Sequence, residues 1–333
     1  MEKLLLVNFG GPRDLNEVYS FLKELLSDQE LLRTPFPPFL HRLLFSYVAK
    51  KRSKKIAKDY EEIGGKSPIY FDTEVLREEL EKIFNQKILT FHRYLPNTHE
   101  DSLEAIEKEP SKEILVFPFF PQFSTATTGS IATFFHQRLS SKSFQKLRWI
   151  RSYPEHPSFV TCYKKRIETL MEKEKILEKD CYLLFSAHGV PLSFIQKGDS
   201  YEKECIASFQ AISSFFPQAK KVLSYQSKFG PGKWLEPSTE TIASTLDPED
   251  KKWCIIVPLS FTSDHIETLF EIEKLYVPLL KNRFSQVLRC PSFNQDPDWL
   301  LAIYQLIDEV KKGKSRLEIC PSFQLLRKKT KTY

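Results

Sequence analysis

The sequence lacks most of the features that identify the common metal, nucleotide and membrane proteins. Its six cysteines are scattered, with no C-x-x-C pair, so zinc, iron–sulfur and disulfide frameworks are poorly supported. It contains neither G-x-G-x-x-G nor G-x-x-x-x-G-K-[ST], which argues against a nucleotide site. No apolar run approaches the roughly 18 residues of a membrane span, and no signal peptide follows Met1. We therefore expect a cytoplasmic protein that does not cross a membrane.

The chain also has only a small excess of positive over negative charge. The 49 basic and 43 acidic side chains leave a net charge of +6, which is too small and too dispersed to indicate nucleic acid as a partner. Basic runs occur at 50–55 and 327–331, where a solvated face is the plain interpretation and weak attraction to anionic lipid is the alternative. The composition, 41% hydrophobic and 28% charged, is that of a globular protein, and the 333 residues favour two domains.

Short β-type runs alternate with helical stretches, which predicts an α/β fold with a mainly parallel sheet in each half. The predicted strands are 4–9, 88–95, 113–120 and 146–153, then 182–187, 221–227, 254–261 and 286–293. S-Y-P-E-H-P-S-F (152–159) aligns with S-F-N-Q-D-P-D-W (292–299), about 140 residues later. We therefore predict a duplicated fold, with halves at residues 1–158 and 159–312 and a basic tail at 313–333.

The first half carries about forty extra residues between its first and second strands. This insertion, which we call the lip (residues 28–66), contains L-R-T-P-F-P-P-F-L-H-R-L-L-F-S-Y-V-A-K-K-R. A packed helical excursion is one interpretation. The other is an apolar surface that a ligand covers, or that contacts a membrane through residues 34–48 at the inner membrane face.

Ligands of open parallel sheets bind outside the carboxyl ends of the strands. His188 follows the fifth strand in F-S-A-H-G-V-P, although a lone histidine is often structural. After the seventh strand, Asp264, Glu267 and Glu271 would share an arc of about 60° on an α-helix. A plain amphipathic helix is the alternative, but carboxylates plus one imidazole suit Fe²⁺ or another divalent ion held loosely. A neutral imidazole at pH 7 would also suit a base.

Aromatic and anion-binding side chains lie near the same strand ends. The candidates for substrate contact are Phe9, Tyr94 and Trp234 as apolar walls, and Arg52, Ser67 and Arg93 for anionic groups. Together they favour a flat, hydrophobic, acid-bearing ligand.

Six ordered motifs resemble those of the ferrochelatase family, whose members insert Fe²⁺ into a porphyrin in haem synthesis. They are N-F-G-G-P, I-G-G-K-S-P, F-P-Q-F-S-T-A-T-T-G-S, F-S-A-H-G-V-P, Y-Q-S-K-F-G-P-G-K-W-L-E-P and S-D-H-I-E-T-L-F-E, and the likeness runs from Leu4 to about Val310. The resemblance implies a chelatase-like fold of two similar Rossmann-like halves, each a four-stranded parallel sheet flanked by helices.

The resemblance also implies a lyase that inserts Fe²⁺ into protoporphyrin IX with release of two protons. His188 and Glu267 would be catalytic, and the metal would meet His188, Glu267, Glu271 and Asp264. Which of His188 and Glu267 binds iron first is open. Coproporphyrin III as the substrate, a non-catalytic haem carrier and a cobalt chelatase of an early tetrapyrrole are the alternatives.

This chain departs from the family pattern at several positions. Phe120 and Phe123 stand where relatives often have tyrosine, and Leu275 ends the acidic row that some relatives continue. Only Cys320 remains of a C-terminal cysteine cluster, so we expect no iron–sulfur cluster and no tightly bound cofactor, with Fe²⁺ as substrate.

Overall fold

A computed structural model describes residues 2–230 and 232–326. The chain divides into two compact units, one formed by the residues up to 152 together with those from 304, the other by residues 153–303. Each unit is built around one β-sheet. The predicted boundary at 158 therefore lies six residues beyond the division, which comes at 152/153.

The sheet of the first unit has five strands in the order β2-β1-β3-β4-β9. They are β1 (Lys3–Asn8), β2 (Leu89–His92), β3 (Ile114–Pro118), β4 (Leu147–Ile150) and β9 (Ile319–Pro321). The first four pair in parallel, whereas β9 pairs antiparallel with β4. Leu4, Leu5 and Leu6 of β1 are fully buried, as expected for a central parallel strand covered on both faces.

Helices flank this sheet, and prolines begin several of them. They are α1 (Val18–Leu26), α2 (Pro38–Glu61), α3 (Pro68–Phe84), α4 (His99–Lys108), α5 (Thr128–Arg138) and α6 (Ser141–Gln145), with 3-10 turns at Leu15–Glu17, Pro96–Thr98 and Ser322–Leu325. Pro38 and Pro68 occupy the first helical position, where the missing N–H has no intrahelical acceptor to lose. Asn85, in the left-handed conformation, ends α3.

The sheet of the second unit has four parallel strands in the order β6-β5-β7-β8. They are β5 (Cys181–His188), β6 (Lys220–Gln226), β7 (Trp253–Pro258) and β8 (Gln286–Arg289). The helices of this unit are α7 (Pro157–Lys173), α8 (Leu192–Ile195), α9 (Tyr201–Ser213), α10 (Thr239–Thr245) and α11 (Val277–Lys281), with a 3-10 turn at Glu178–Asp180 and a π-helix at Glu267–Tyr276. Helix α12 (Pro297–Lys311) begins in this unit, and its residues from 304 belong to the first.

The predicted fold class is confirmed. All eight predicted strands are present. The orders β2-β1-β3-β4 and β6-β5-β7-β8 are equivalent, because in each sheet the second strand of the chain lies at the edge, next to the first. The first sheet is larger than predicted because residues 319–321, assigned in advance to the basic tail, form β9. Residues 327–331, the basic end of that tail, lie outside the described residues.

The lip folds mainly as helix α2, whose first half is exposed and apolar. Phe39, Leu43 and Tyr47 are 64%, 67% and 58% exposed. His41 and Ala49 are its buried contacts in this stretch, so a narrow side of the helix faces the protein interior. Among the helices of the described residues, none combines the length and the hydropathy needed to cross a membrane.

Candidate active site

His188 is the last residue of β5, and a tight turn places it beside β6. Its register partner is Gln226, the last residue of β6. The N–H of Gly189 donates to the carbonyl oxygen of Gln226 at 2.7 Å. A Cβ at Gly189 would lie 2.7 Å from that same oxygen, so a side chain there would push the turn away from β6. The glycine after the histidine therefore fixes where the imidazole emerges.

Glu267 begins a π-helix, not the α-helix on which the sequence prediction placed the acidic residues. In a π-helix the N–H bonds to the carbonyl five residues earlier, so residues four and five apart lie on the same side. Glu267, Glu271 and Tyr276 consequently form one row. Such helices are rare and often occur at functional sites.

The imidazole and the first carboxylate of this row are joined directly. His188 Nδ1 lies 2.7 Å from Glu267 Oε2, and the two side chains are 38% and 24% exposed. Burial by itself would raise the pKa of Glu267, but the charge of His188 and its hydrogen bond lower it to about 2. Burial lowers the pKa of His188, yet Glu267 raises it more, so the net shift is upward. The carboxylate of Glu267 therefore makes the His188 imidazole a stronger base than a histidine free in water.

Ser227 links the two glutamates of the row. Its hydroxyl lies 3.0 Å from Glu267 Oε2 and 2.5 Å from Glu271 Oε2, and its N–H donates to Glu271 Oε1 at 2.9 Å. The Tyr276 hydroxyl also donates to Glu271. Burial, followed by the charge of Glu267, raises the pKa of Glu271. Sequence reasoning missed Ser227, although it lies within the Y-Q-S-K motif.

Asp264 does not belong to this row. Its carboxylate accepts from Arg289 at 2.7 Å, Thr268 at 2.9 Å and Asn294 at 3.0 Å. Burial opposes ionisation, but Arg289 and these hydrogen bonds hold its pKa below the usual value. Both oxygens are thus engaged in tying the loop after β7 to β8. Arg289, distant in sequence, therefore neutralises Asp264, and a role for Asp264 as a metal ligand stays a prediction.

His265, which the sequence prediction passed over, is a buried neighbour of the site. Its ring packs 4.8 Å from Phe261, and Phe261 lies 6.4 Å edge-on from His188. Burial lowers the pKa of His265, which keeps it neutral. Among the described residues, no group of three or more His, Cys, Asp or Glu side chains is arranged as a metal cage.

In the first unit, Arg93 and Tyr94 lie in the interior. Arg93 is 6% exposed and pairs with Glu24 at 2.8 Å and Asp28 at 3.0 Å. The Tyr94 hydroxyl donates to Asp28 at 2.8 Å and is fully buried. Arg93 and Tyr94 are thus engaged with carboxylates inside the first unit. Their contact with substrate stays a prediction.

The other predicted substrate residues are more accessible or carry unmet polar groups. Phe9 is half-buried, with its ring 4.5 Å from that of Tyr94, and Arg52 is exposed on α2. The Ser67 hydroxyl is buried without a hydrogen-bond partner, as is Nε1 of the half-buried Trp234. A buried donor with no partner costs about 1–3 kcal/mol, so both groups are suited to a ligand.

Comparison with known proteins agrees with the six motifs. The family model described as Ferrochelatase matches residues 2–311. The proteins named Ferrochelatase from Chlamydia felis (strain Fe/C-56) and Chlamydia abortus (strain DSM 27085 / S26/3) are 43% identical over 317 residues and 44% identical over 307 residues. These alignments cover 95% and 92% of this chain, and 98% and 95% of the relatives.

Solved structures extend the comparison at the level of fold. SirB from Bacillus subtilis with Fe³⁺ superimposes with a TM-score of 0.51 at 15% identity, over 96% of this chain and 100% of that one. The sirohydrochlorin chelatase SirB from Bacillus subtilis subspecies spizizenii in complex with cobalt gives 0.50 at 14% identity, over 94% and 97%. The structures show the chelatase-like fold, and the sequence match over nearly the whole length shows more: this chain belongs to the ferrochelatase family.

Proposed function

We propose that His188 and Glu267 are the catalytic residues with which this ferrochelatase, a lyase that inserts metal into porphyrin, converts protoporphyrin IX and Fe²⁺ into haem. The observation that carries the proposal is the 2.7 Å bond between His188 Nδ1 and Glu267 Oε2. It pairs a titratable imidazole with a carboxylate at the end of a parallel strand, where ligands of such sheets bind.

Each insertion must remove two protons from pyrrole nitrogens. Because Nδ1 of His188 is engaged by Glu267, Nε2 is the nitrogen that accepts a pyrrole proton or meets the iron. Glu267 then holds the ring orientation and stabilises the imidazolium that forms. A carboxylate with a pKa of about 2 is a weak base, so its further role is to attract the divalent cation.

Glu271 is assigned to the departing protons. Its raised pKa suits a carboxylate that takes up a proton, and Ser227 connects it to Glu267. Asp264 is left out of this path because Arg289 holds it.

For the porphyrin, Phe9 and Trp234 are each proposed to contact its ring, and Arg52 and Ser67 its propionates. The buried, unpaired Ser67 hydroxyl supports the last assignment. The pairing of Arg93 with Glu24 and Asp28 removes a cation that a four-carboxylate substrate would need. Together with the apolar lip, this favours protoporphyrin IX over coproporphyrin III.

The lip is also proposed to contact the membrane, at its cytoplasmic face. Exposed apolar side chains fill the first half of α2, and exposed lysines fill the second: Lys50, Lys51, Lys54, Lys55 and Lys58. An apolar surface followed by cations matches an anionic bilayer, since each lysine near the surface adds about 1 kcal/mol.

His188→Ala and Glu267→Gln should each lower kcat for Fe²⁺ or Zn²⁺ insertion at least about 100-fold, because each removes proton transfer or its support. Porphyrin binding and the midpoint of thermal unfolding should change little. Absorbance of the metalloporphyrin measures turnover, and Glu172→Gln, on the exposed side of α7, is the matched control. Near-normal turnover in both site variants would refute the assignment.

With purified protein and Zn²⁺ or Fe²⁺, kcat/KM should be higher for protoporphyrin IX than for coproporphyrin III. The reason is that Arg93, already paired with Glu24 and Asp28, is not available to a further carboxylate. Both substrates are compared in the same absorbance assay. An equal or higher kcat/KM for coproporphyrin III would reverse the substrate assignment while leaving the catalytic pair untouched.

Vesicles containing phosphatidylglycerol should co-sediment the protein, less so at high salt, because lysine contacts are screened. The combined Phe39→Ser, Leu43→Ser and Tyr47→Ser variant should remain in the supernatant. Leu177→Ser, which alters a leucine that is 58% exposed in the second unit, is the control and should still sediment. Absence of wild-type protein from the pellet would end the proposal of membrane contact.

A further inference from the structure

Gln226 makes hydrogen bonds to the segments that carry both His188 and Glu267. It is 1% exposed, ends β6 and lies beside His188 in register. Its backbone carbonyl accepts the Gly189 N–H at 2.7 Å, which anchors the turn directly after the histidine. The main chain of Gln226 thus fixes the segment that carries His188.

The side chain of Gln226 links this segment to Glu267. Its Oε1 accepts from the Ser186 hydroxyl at 2.7 Å, two residues before His188. Its Nε2 donates to the carbonyl oxygen of Glu267 at 3.0 Å. A single amide therefore spans from β5 to the first residue of the π-helix. Because both bonds are to groups adjacent to the pair, the amide sets how far apart the imidazole and carboxylate lie.

Only one orientation of this amide is compatible with its surroundings. The Glu267 carbonyl carries no hydrogen, so the atom that faces it at 3.0 Å must be the nitrogen. The oxygen then faces Ser186, which has one proton to donate. Behind Ser186, hydroxyls continue through Thr239 at 2.7 Å to Ser224 at 2.8 Å, all fully buried. Because the Ser186 proton goes to the amide oxygen, Thr239 donates to Ser186, whereas the Ser224 hydroxyl donates to the carbonyl oxygen of Phe185 at 3.2 Å.

We infer that Gln226 is a positioning residue, which holds the Glu267 carboxylate at hydrogen-bond distance from the His188 imidazole. The inference rests on the proposed function, in which that pair is catalytic. Gln226 itself touches no reacting atom. Its effect arises because Glu267 lies on the first turn of the π-helix, and Gln226 is the side chain that ties the carbonyl of this turn to the strand that carries His188. A displacement near 1 Å at such a site costs about 100-fold in rate.

The test replaces the amide by an apolar side chain of similar length, Gln226→Met. We expect kcat per bound porphyrin to fall about 10- to 100-fold, as for other residues that support metal ligands. The KM for the metal should rise and the KM for porphyrin should stay unchanged. Normalising turnover to bound porphyrin separates mispositioning from a loss of folded protein. Gln210→Met, at an exposed position on α9, is the matched control and should behave as wild type.

Ser186→Ala is the second variant, since it removes a single hydroxyl and leaves the amide oxygen without its donor. Ser186→Ala should also lower kcat, by a smaller factor than Gln226→Met. If Gln226→Met does not fold, Ser186→Ala alone tests whether Gln226 is a positioning residue. Suppose that His188→Ala and Glu267→Gln are inactive, while Gln226→Met and Ser186→Ala fold and keep the wild-type kcat per bound porphyrin. That result would overturn the role of Gln226 and leave the proposed function intact. Normal turnover in His188→Ala and Glu267→Gln would instead overturn the proposed function on which it rests.

Discussion

The hydrogen bond between His188 and Glu267 joins two side chains that are 79 residues apart in sequence. Three local features bring them together: the end of β5, the Gly189 turn against Gln226, and a π-helix that begins at Glu267. Neither side chain is fully buried, so the bond gains strength from partial shielding while both groups stay reachable by substrate. The proposed chemistry depends on this contact, since it selects Nε2 of the histidine as the reactive nitrogen.

Like charges in the stretch after β7 are accommodated in two different ways. Asp264 is neutralised within the fold by Arg289. Glu267 pairs with His188, and it shares the hydroxyl proton of Ser227 with Glu271, to which Tyr276 also donates. The raised pKa of Glu271 is the electrostatic consequence. The negative charge of these two glutamates is therefore available to a metal ion or to departing protons, as metal insertion into a porphyrin requires.

Local pattern was enough to predict the strands and the placement of His188, because both follow from apolar runs that end in glycine and proline. The π-helix was not predictable in this way, since an amphipathic pattern over ten residues does not distinguish it from an α-helix. Arg289 and Arg93 were missed as ion-pair partners because each meets its carboxylates from a distant strand. Cys320 lies on β9, whose antiparallel pairing the parallel repeat gave no reason to expect.

The most direct test of the central contact is the titration of the His188 imidazole by NMR, in the wild type and in Glu267→Gln. In the wild type the carboxylate favours the imidazolium, so the pKa of His188 should lie above the ordinary value of 6.5. Removing that charge leaves burial, which disfavours the imidazolium, and the smaller attraction of Glu271, so the variant should release its proton at lower pH. The account predicts a clear downward shift of the pKa in Glu267→Gln; the same pKa in both proteins would contradict it.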